Sequence, residues 1–211
     1  MKKNILLVEG NDDVHVIKNI CGSLKIGPFN EIKDTKGREQ LLRIFPVQAK
    51  ASDIGSLGIV IDADLDVEST WKSVRDKIIS LGYGDCPISP LPEGTIIEPM
   101  PHLLLPKIGI WIMPDNRIPG MLEDFIQFLI PEDDQLFCKA DSTLHEIPTE
   151  LIRFSPQKRS KALIHTWLAW QAEPGKPLGQ AITARYLSVN EERASPFISW
   201  LKTISEISLQ E

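Results

Sequence analysis

Two stretches decide the fold of this chain: Asn4-Ile-Leu-Leu-Val-Glu9-Gly10-Asn-Asp-Asp13, and Leu57-Gly-Ile-Val-Ile-Asp62-Ala-Asp64. Each is a short apolar run that stops abruptly at carboxylates. A strand buried on both faces reads as a continuous apolar run, the pattern of a parallel sheet covered by helices. After the first run, Val14, Val16, Ile17, Ile20, Cys21 and Leu24 recur at helical spacing, and Asn11–Asp13 offers an N-cap. The chain therefore opens strand, acidic loop, helix.

The same alternation continues. A short strand is expected over 29–33 and a helix over 37–45, with Leu41, Leu42 and Phe45 on one side. The strand at 57–61 is followed by a helix over 68–81. Ile-Gly-Ile-Trp-Ile-Met at 108–113 is a third buried-type strand, followed by a helix over 121–130. Between them, residues 83–106 are rich in Pro and Gly, with Ile96-Ile97 as a small strand in a hairpin or lid. The reading is α/β: a mostly parallel sheet with helices on both faces. This domain spans 1–135. Residues 136–211 read as an acidic linker and a helical C-terminal extension, because 131–156 is polar and turn-rich. Helices follow over 158–172, 179–186 and 195–207. Trp167 and Trp170 share a helical face, suited to docking on the domain or to stacking on bases.

Composition excludes several classes. The chain has 211 residues, 42% hydrophobic and 25% charged, which predicts a folded core rather than disorder. No apolar run approaches the ~20 residues needed to span a bilayer. The opening run, Ile5 to Val8, ends at Glu9 and is too short for a signal sequence. A cytoplasmic protein with no membrane partner is expected. Cys21, Cys86 and Cys138 are widely spaced with no CxxC, so neither a zinc site nor a disulfide framework is signalled. The four histidines show no ligand spacing, and nothing in the pattern points to an oligomeric state. Net charge is −6, unevenly placed: residues 1–150 hold 15 Lys/Arg against 24 Asp/Glu, whereas 151–187 hold six against one. An acidic front followed by a basic stretch suits a carboxylate site beside a phosphate-attracting surface. Lys158, Arg159 and Lys161 are the candidate phosphate contacts.

The carboxylates carry the chemistry. Glu9 follows the first strand, Asp62, Asp64 and Asp66 follow the third, and Asp115, Glu123 and Asp124 follow the last. In an open parallel sheet, ligands bind in the crevice at the carboxyl ends of the strands. Carboxylates gathered there repel one another unless a cation or a proton neutralises them. Mg²⁺ (or Mn²⁺) takes such hard oxygen ligands and keeps waters that bridge to phosphate. Asp62 and Asp64, two apart at a strand exit, point the same way. Glu9, from a neighbouring strand, completes the site or accepts a proton. Asp13, Asp66 and Glu123 are candidates to support these ligands or hold a second ion, although Asp12 and Asp13 equally suit helix capping.

At these residues the chain resembles the Toprim family of topoisomerases, primases, OLD-type nucleases and small recombination proteins. Leu-Leu-Val-Glu9-Gly10-Asn-Asp-Asp13 matches the family's strand ending in Glu-Gly, and Ile-Val-Ile-Asp62-Ala-Asp64 matches its strand ending in Asp-x-Asp. The resemblance covers about residues 1–130 and implies a Toprim-like fold. It implies Glu9 as the general acid/base or metal-linked carboxylate, and Asp62 and Asp64 as Mg²⁺ ligands. Gly120-Met-Leu-Glu123 is similar to a further acidic element of OLD-type nucleases, which implies Glu123 near a second metal. The tail, His165-Thr-Trp-Leu-Ala-Trp-Gln with Pro-Gly-Lys-Pro, is similar to stand-alone bacterial Toprim-related proteins of unassigned function. The chain lacks the ATPase loop of OLD proteins, and Tyr83 and Tyr186 are its only tyrosines, so it departs from strand-passing and ATP-driven relatives.

A second resemblance is to response-regulator receiver domains, with Asp12/Asp13 as the metal pair and Asp62 as phospho-acceptor. The chain departs from that pattern at Met113-Pro114-Asp115, where receivers carry Lys-Pro, and Asp64 has no role there. The leading expectation is Mg²⁺-dependent phosphoryl transfer, most concretely a nuclease-like phosphodiesterase acting on nucleic acid. The alternative is a non-catalytic Toprim-like module that binds nucleic acid, a nucleotide or a protein.

Overall fold

The computed structural model describes residues 2–206. β1 (Lys3–Val8) is an interior strand, next to one edge of a five-stranded sheet. It runs parallel to β2 (Glu31–Asp34) on one side and to β3 (Ile54–Asp62) on the other. β3 in turn runs parallel to β5 (Lys107–Met113). β4 (Thr95–Ile97) pairs antiparallel along the outer edge of β5, giving the order β2-β1-β3-β5-β4. The sheet is mostly parallel, with helices on both faces, as the apolar runs predict.

Alternating strand residues divide the core in two. Ile5, Leu7, Leu57, Ile59, Ile61, Ile108, Ile110 and Ile112 face α2 (Arg38–Ala49) and α3 (Val67–Ser80). Leu6, Val8, Val60, Trp111 and Met113 face the other way. There they meet α1 (Asn11–Leu24), α4 (Leu122–Gln127), α5 (Gln135–Glu146), α6 (Arg159–Ala169), α7 (Leu178–Thr183) and α8 (Ser195–Ser205). The helices beyond residue 135 thus share one core with the sheet.

Two expectations are corrected. Residues 131–156 are not a loose linker throughout: α5 forms there, capped by Asp134 Oδ1, which accepts the Phe137 N–H at 2.7 Å. Ala140 and Leu144 supply its narrow buried stripe, sparse enough to read as loop. The second helix also does not stop at Phe45. It runs through Pro46 to Ala49, because Phe45 and Ala49 are both fully buried against the sheet, and that packing outweighs the missing proline N–H.

Gly58 and Gly109 stand opposite each other on β3 and β5. A Cβ at Gly109 would fall 2.8 Å from two Ile204 side-chain atoms, and one at Gly58 would meet Leu6 at 2.4 Å and Ile204 at 3.5 Å. The two glycines form a shallow floor on which α8 lies. Side chains at the strand starts hold the end of that helix. Lys107 Nζ donates to the carbonyls of Thr203 (2.9 Å) and Glu206 (2.7 Å), Ser56 Oγ to Ile204 O (2.7 Å), and Asn4 Nδ2 to Ser205 O. These donors satisfy carbonyls that a helix end leaves without partners. Trp167 is fully buried in the same core, while Trp170 is 41% exposed. Among the described residues, no helix is long and apolar enough to cross a membrane.

Candidate functional site

The strand order reverses between β1 and β3, and a ligand crevice opens at such a switch point. Glu9 leaves β1 on one side of it and Asp62 ends β3 on the other. Glu9 Oε1 accepts the Asp62 N–H at 2.9 Å. The β2–α2 turn folds over the same residue. Thr35 N–H and Oγ reach Val8 O at 3.0 and 2.8 Å, and Gly37 N–H reaches Glu9 O at 2.8 Å. Gly37 takes φ 107°, a conformation that favours glycine, and so turns the chain into α2 directly beside Glu9. Burial pushes the Glu9 carboxyl above its ordinary value, as does the charge of Asp64; the backbone donors of Asp62 and Arg38 and the Arg38 guanidinium pull it back.

Asp62 is the most strained electrostatically. The residue keeps some exposed surface, but Oδ1 is shut off from solvent and has no hydrogen-bond partner. Its carboxyl is pushed up to about 9, first by burial and then by the charges of Asp13, Glu9, Asp64 and Glu123. Asp13 is buried at the start of α1, where Oδ2 accepts the Gly10 N–H at 3.0 Å. Burial, with Glu9 and Glu123 nearby, raises it to about 7. Glu123 is buried in the first turn of α4 and pairs with Lys161 Nζ from α6 at 2.8 Å. That contact raises the Lys161 ammonium, as do Asp12 and Asp62. Asp64 has φ 55°, and its N–H donates to Gly120 O at 2.9 Å. Its half-exposed side chain lies 3.4 Å from Arg38 Nη1.

Glu9, Asp13, Asp62, Asp64 and Glu123 thus gather in one electrostatic neighbourhood, with Lys161 beside them. The other predicted residues lie elsewhere. Asp66 caps α3 by accepting the Glu68 N–H at 3.0 Å. Arg159 pairs with Asp141 at 2.8 Å and ties α6 to α5. Lys158 is exposed at the end of a short turn, Pro156–Lys158. Asp124 starts α4, accepting the Met121 N–H at 2.9 Å and the Ser160 hydroxyl. Arg38 is the residue that sequence reasoning missed. The Gly37-Arg38 pair between a strand and a helix is its only sequence signal.

Among the described residues, no group of three or more His, Cys, Asp or Glu side chains is drawn together tightly enough to hold a metal ion as posed. Four of the five carboxylates turn one oxygen to a donor of the protein: Glu9 to an amide, Asp64 to Arg38, Glu123 to Lys161, Asp13 to Gly10. The exception, Asp62 Oδ1, sits among four further carboxylates that contribute hard oxygen donors. That donor set fits Mg²⁺ or Mn²⁺ once the solvent-facing Asp64 side chain turns away from Arg38.

A family model described as "Protein of unknown function (DUF3226)" matches residues 3–206. No curated protein and no solved structure matches the chain.

Proposed function

We propose, for a chain that belongs to the DUF3226 family and so inherits no named activity, that the switch-point carboxylates form a divalent-metal site for phosphodiester hydrolysis of nucleic acid. The observation that carries the reading is Asp62 Oδ1, buried without a partner among Glu9, Asp13, Asp64 and Glu123. A buried carboxylate in such company is stable in ionised form only beside a cation. The Glu9-Gly and Asp62-x-Asp64 motifs, similar to those of Toprim domains, support the same reading.

Asp62 and Asp64 would hold Mg²⁺ or Mn²⁺, with Glu9 beside them. When bound, the ion would draw charge from the phosphate oxygens and lower the barrier to attack. Glu9 is suited to take the proton of the attacking water, since burial raises its basicity while its tie to the Asp62 amide fixes its position. Lys161 and Arg38 flank the carboxylates and would contact the outer phosphate oxygens. The sheet order 2-1-3-5-4, with an antiparallel edge strand, departs from the 2-1-3-4-5 order of receiver-type folds, which favours the hydrolytic reading over a phospho-accepting one.

The test is incubation of the purified chain with fluorescent single- and double-stranded oligonucleotides in Mg²⁺, Mn²⁺ or chelator. Metal-dependent cleavage that disappears in Asp64→Asn supports the reading. Metal binding in calorimetry with no cleavage of any substrate supports a non-catalytic binding module, a reading favoured by the Arg38–Asp64 and Lys161–Glu123 pairs that already offset part of the negative charge.

A further inference from the structure

Beside the carboxylates lies a cleft of about 530 Å³ to which no role has been assigned. Leu65, Pro119, Met121 and Pro156 form its apolar walls, and Asp64, Asp124, Gln157 and Ser160 are its polar side chains. The volume falls in the range of a small-ligand site, roughly 300–1,000 Å³, and the lining combines apolar walls with several hydrogen-bonding side chains. The cleft is anchored to the carboxylate site by backbone. Asp64 and Gly120 form an isolated antiparallel bridge, with Asp64 N–H on Gly120 O at 2.9 Å. Gly120 takes φ 149°, and the adjacent Met121 N–H donates to Asp124 Oδ2 at 2.9 Å, so a shift of the 119–121 wall disturbs Asp64 or the start of α4. Leu65, directly after Asp64, leaves 69% of its surface exposed at the mouth.

We infer that this cleft seats one unpaired nucleobase of the substrate, next to the phosphate that reacts at Asp62/Asp64. The inference rests on the phosphodiester reading of the carboxylate site. A phosphate held at Asp64 would present its ester substituent to the neighbouring Leu65, which lines the same cleft. A group that suits apolar walls interleaved with hydrogen-bonding side chains is flat, apolar on its faces and hydrogen-bonding at its rim, which describes a base. Gln157 supplies both a donor and an acceptor for that rim. A base seated between the walls of this open cleft is turned out of a duplex stack, so the preferred substrate is a single strand or a mononucleotide rather than an intact double helix.

Binding tests this without relying on turnover. The chain is labelled with ¹³C-methyl methionine and titrated, with Ca²⁺ present, with adenosine 5′-monophosphate and separately with ribose 5-phosphate. The Met121 methyl should shift saturably with the nucleotide, at least tenfold more tightly than with the sugar phosphate, while Met100, in the 82–106 excursion, stays still. Gln157→Trp, which fills the cleft from an exposed position, should remove the Met121 response and leave the metal-dependent rise in thermal stability intact. Equal affinity for both ligands, or a Met121 signal that never moves, overturns the cleft assignment even where metal-dependent cleavage is found. A Met121 response in a chain that cleaves nothing leaves the cleft standing and removes the hydrolytic reading.

Discussion

The backbone N–H of Asp62 donates to the Glu9 carboxylate across the gap between β1 and β3, at 2.9 Å. One carboxylate is thereby fixed by the peptide group of the other, so any change at Glu9 has two separable consequences. Glu9→Gln keeps an oxygen acceptor for that N–H and removes the charge. Stability in urea should be unchanged within about 0.5 kcal/mol, while hydrolysis falls ~10²–10⁴-fold, the usual contribution of a positioned base. Glu9→Ala leaves the amide without its partner and should cost a further ~1–3 kcal/mol. A Gln variant that retains full cleavage would remove Glu9 from the chemistry.

Asp62 gives the metal-free protein a particular pH dependence. Its carboxyl is raised from an ordinary value near 3.8 to about 9, so between those limits the folded state binds more protons than the unfolded. Stability must therefore fall as pH rises through that window, by no more than about 1.4 kcal/mol per unit from this group. Asp62→Asn should flatten the slope and make the metal-free protein more stable at pH 8 than the parent. Added Mg²⁺ should stabilise the parent increasingly with pH and the variant little. Thermal denaturation across pH 5–9, with and without Mg²⁺, measures all three, and a parent whose metal-free stability rises over that range contradicts the account.

Arg38 competes with a cation for Asp64. The pair is partly exposed and 3.4 Å apart, so it is weak and screened by salt. Arg38→Ala should tighten Mg²⁺ binding at pH 8 about two- to fivefold at low ionic strength, with the gain shrinking in 0.5 M salt. Looser binding in calorimetry would mean that Arg38 organises the site rather than opposes the ion.

On the far side of the sheet, Gly109→Ala tests the seat of α8. The added methyl would sit 2.8 Å from Ile204 and 3.2 Å from Ile96, and should cost ~1–3 kcal/mol in urea unfolding. Lys107→Met should cost more than a surface lysine change, because the carbonyls of Thr203 and Glu206 lose their donor. Either variant at parental stability would argue against α8 as part of the core.

The carboxylates at strand ends were legible because the evidence is local: an apolar run, then Glu9 or Asp62 within one residue of its end. Arg38 was not, since its part comes from the Gly37 turn that carries the chain from β2 into α2 beside Glu9. Lys161 was read as a phosphate contact on charge alone; its pairing with Glu123 joins residues 38 apart in sequence and needs the packing of α4 on α6. Asp66 matched its acidic neighbours in spacing, but its side chain is used by the α3 amides. The place of α8 had a visible sign, since Gly58 and Gly109 interrupt otherwise branched apolar strands, where glycine marks close approach.

That seating of α8 has a consequence for how the chain comes off the ribosome. The helix docks on β3 and β5 and is held by Asn4, Ser56 and Lys107, so contacts that complete the core span up to 201 residues. Until residues 195–205 have been made, Gly58, Gly109 and Trp111 lie on an uncovered apolar face. Long-range closure of this kind slows folding and leaves such a face open to aggregation meanwhile. The nascent chain's period of greatest exposure therefore lasts until synthesis of its final described helix.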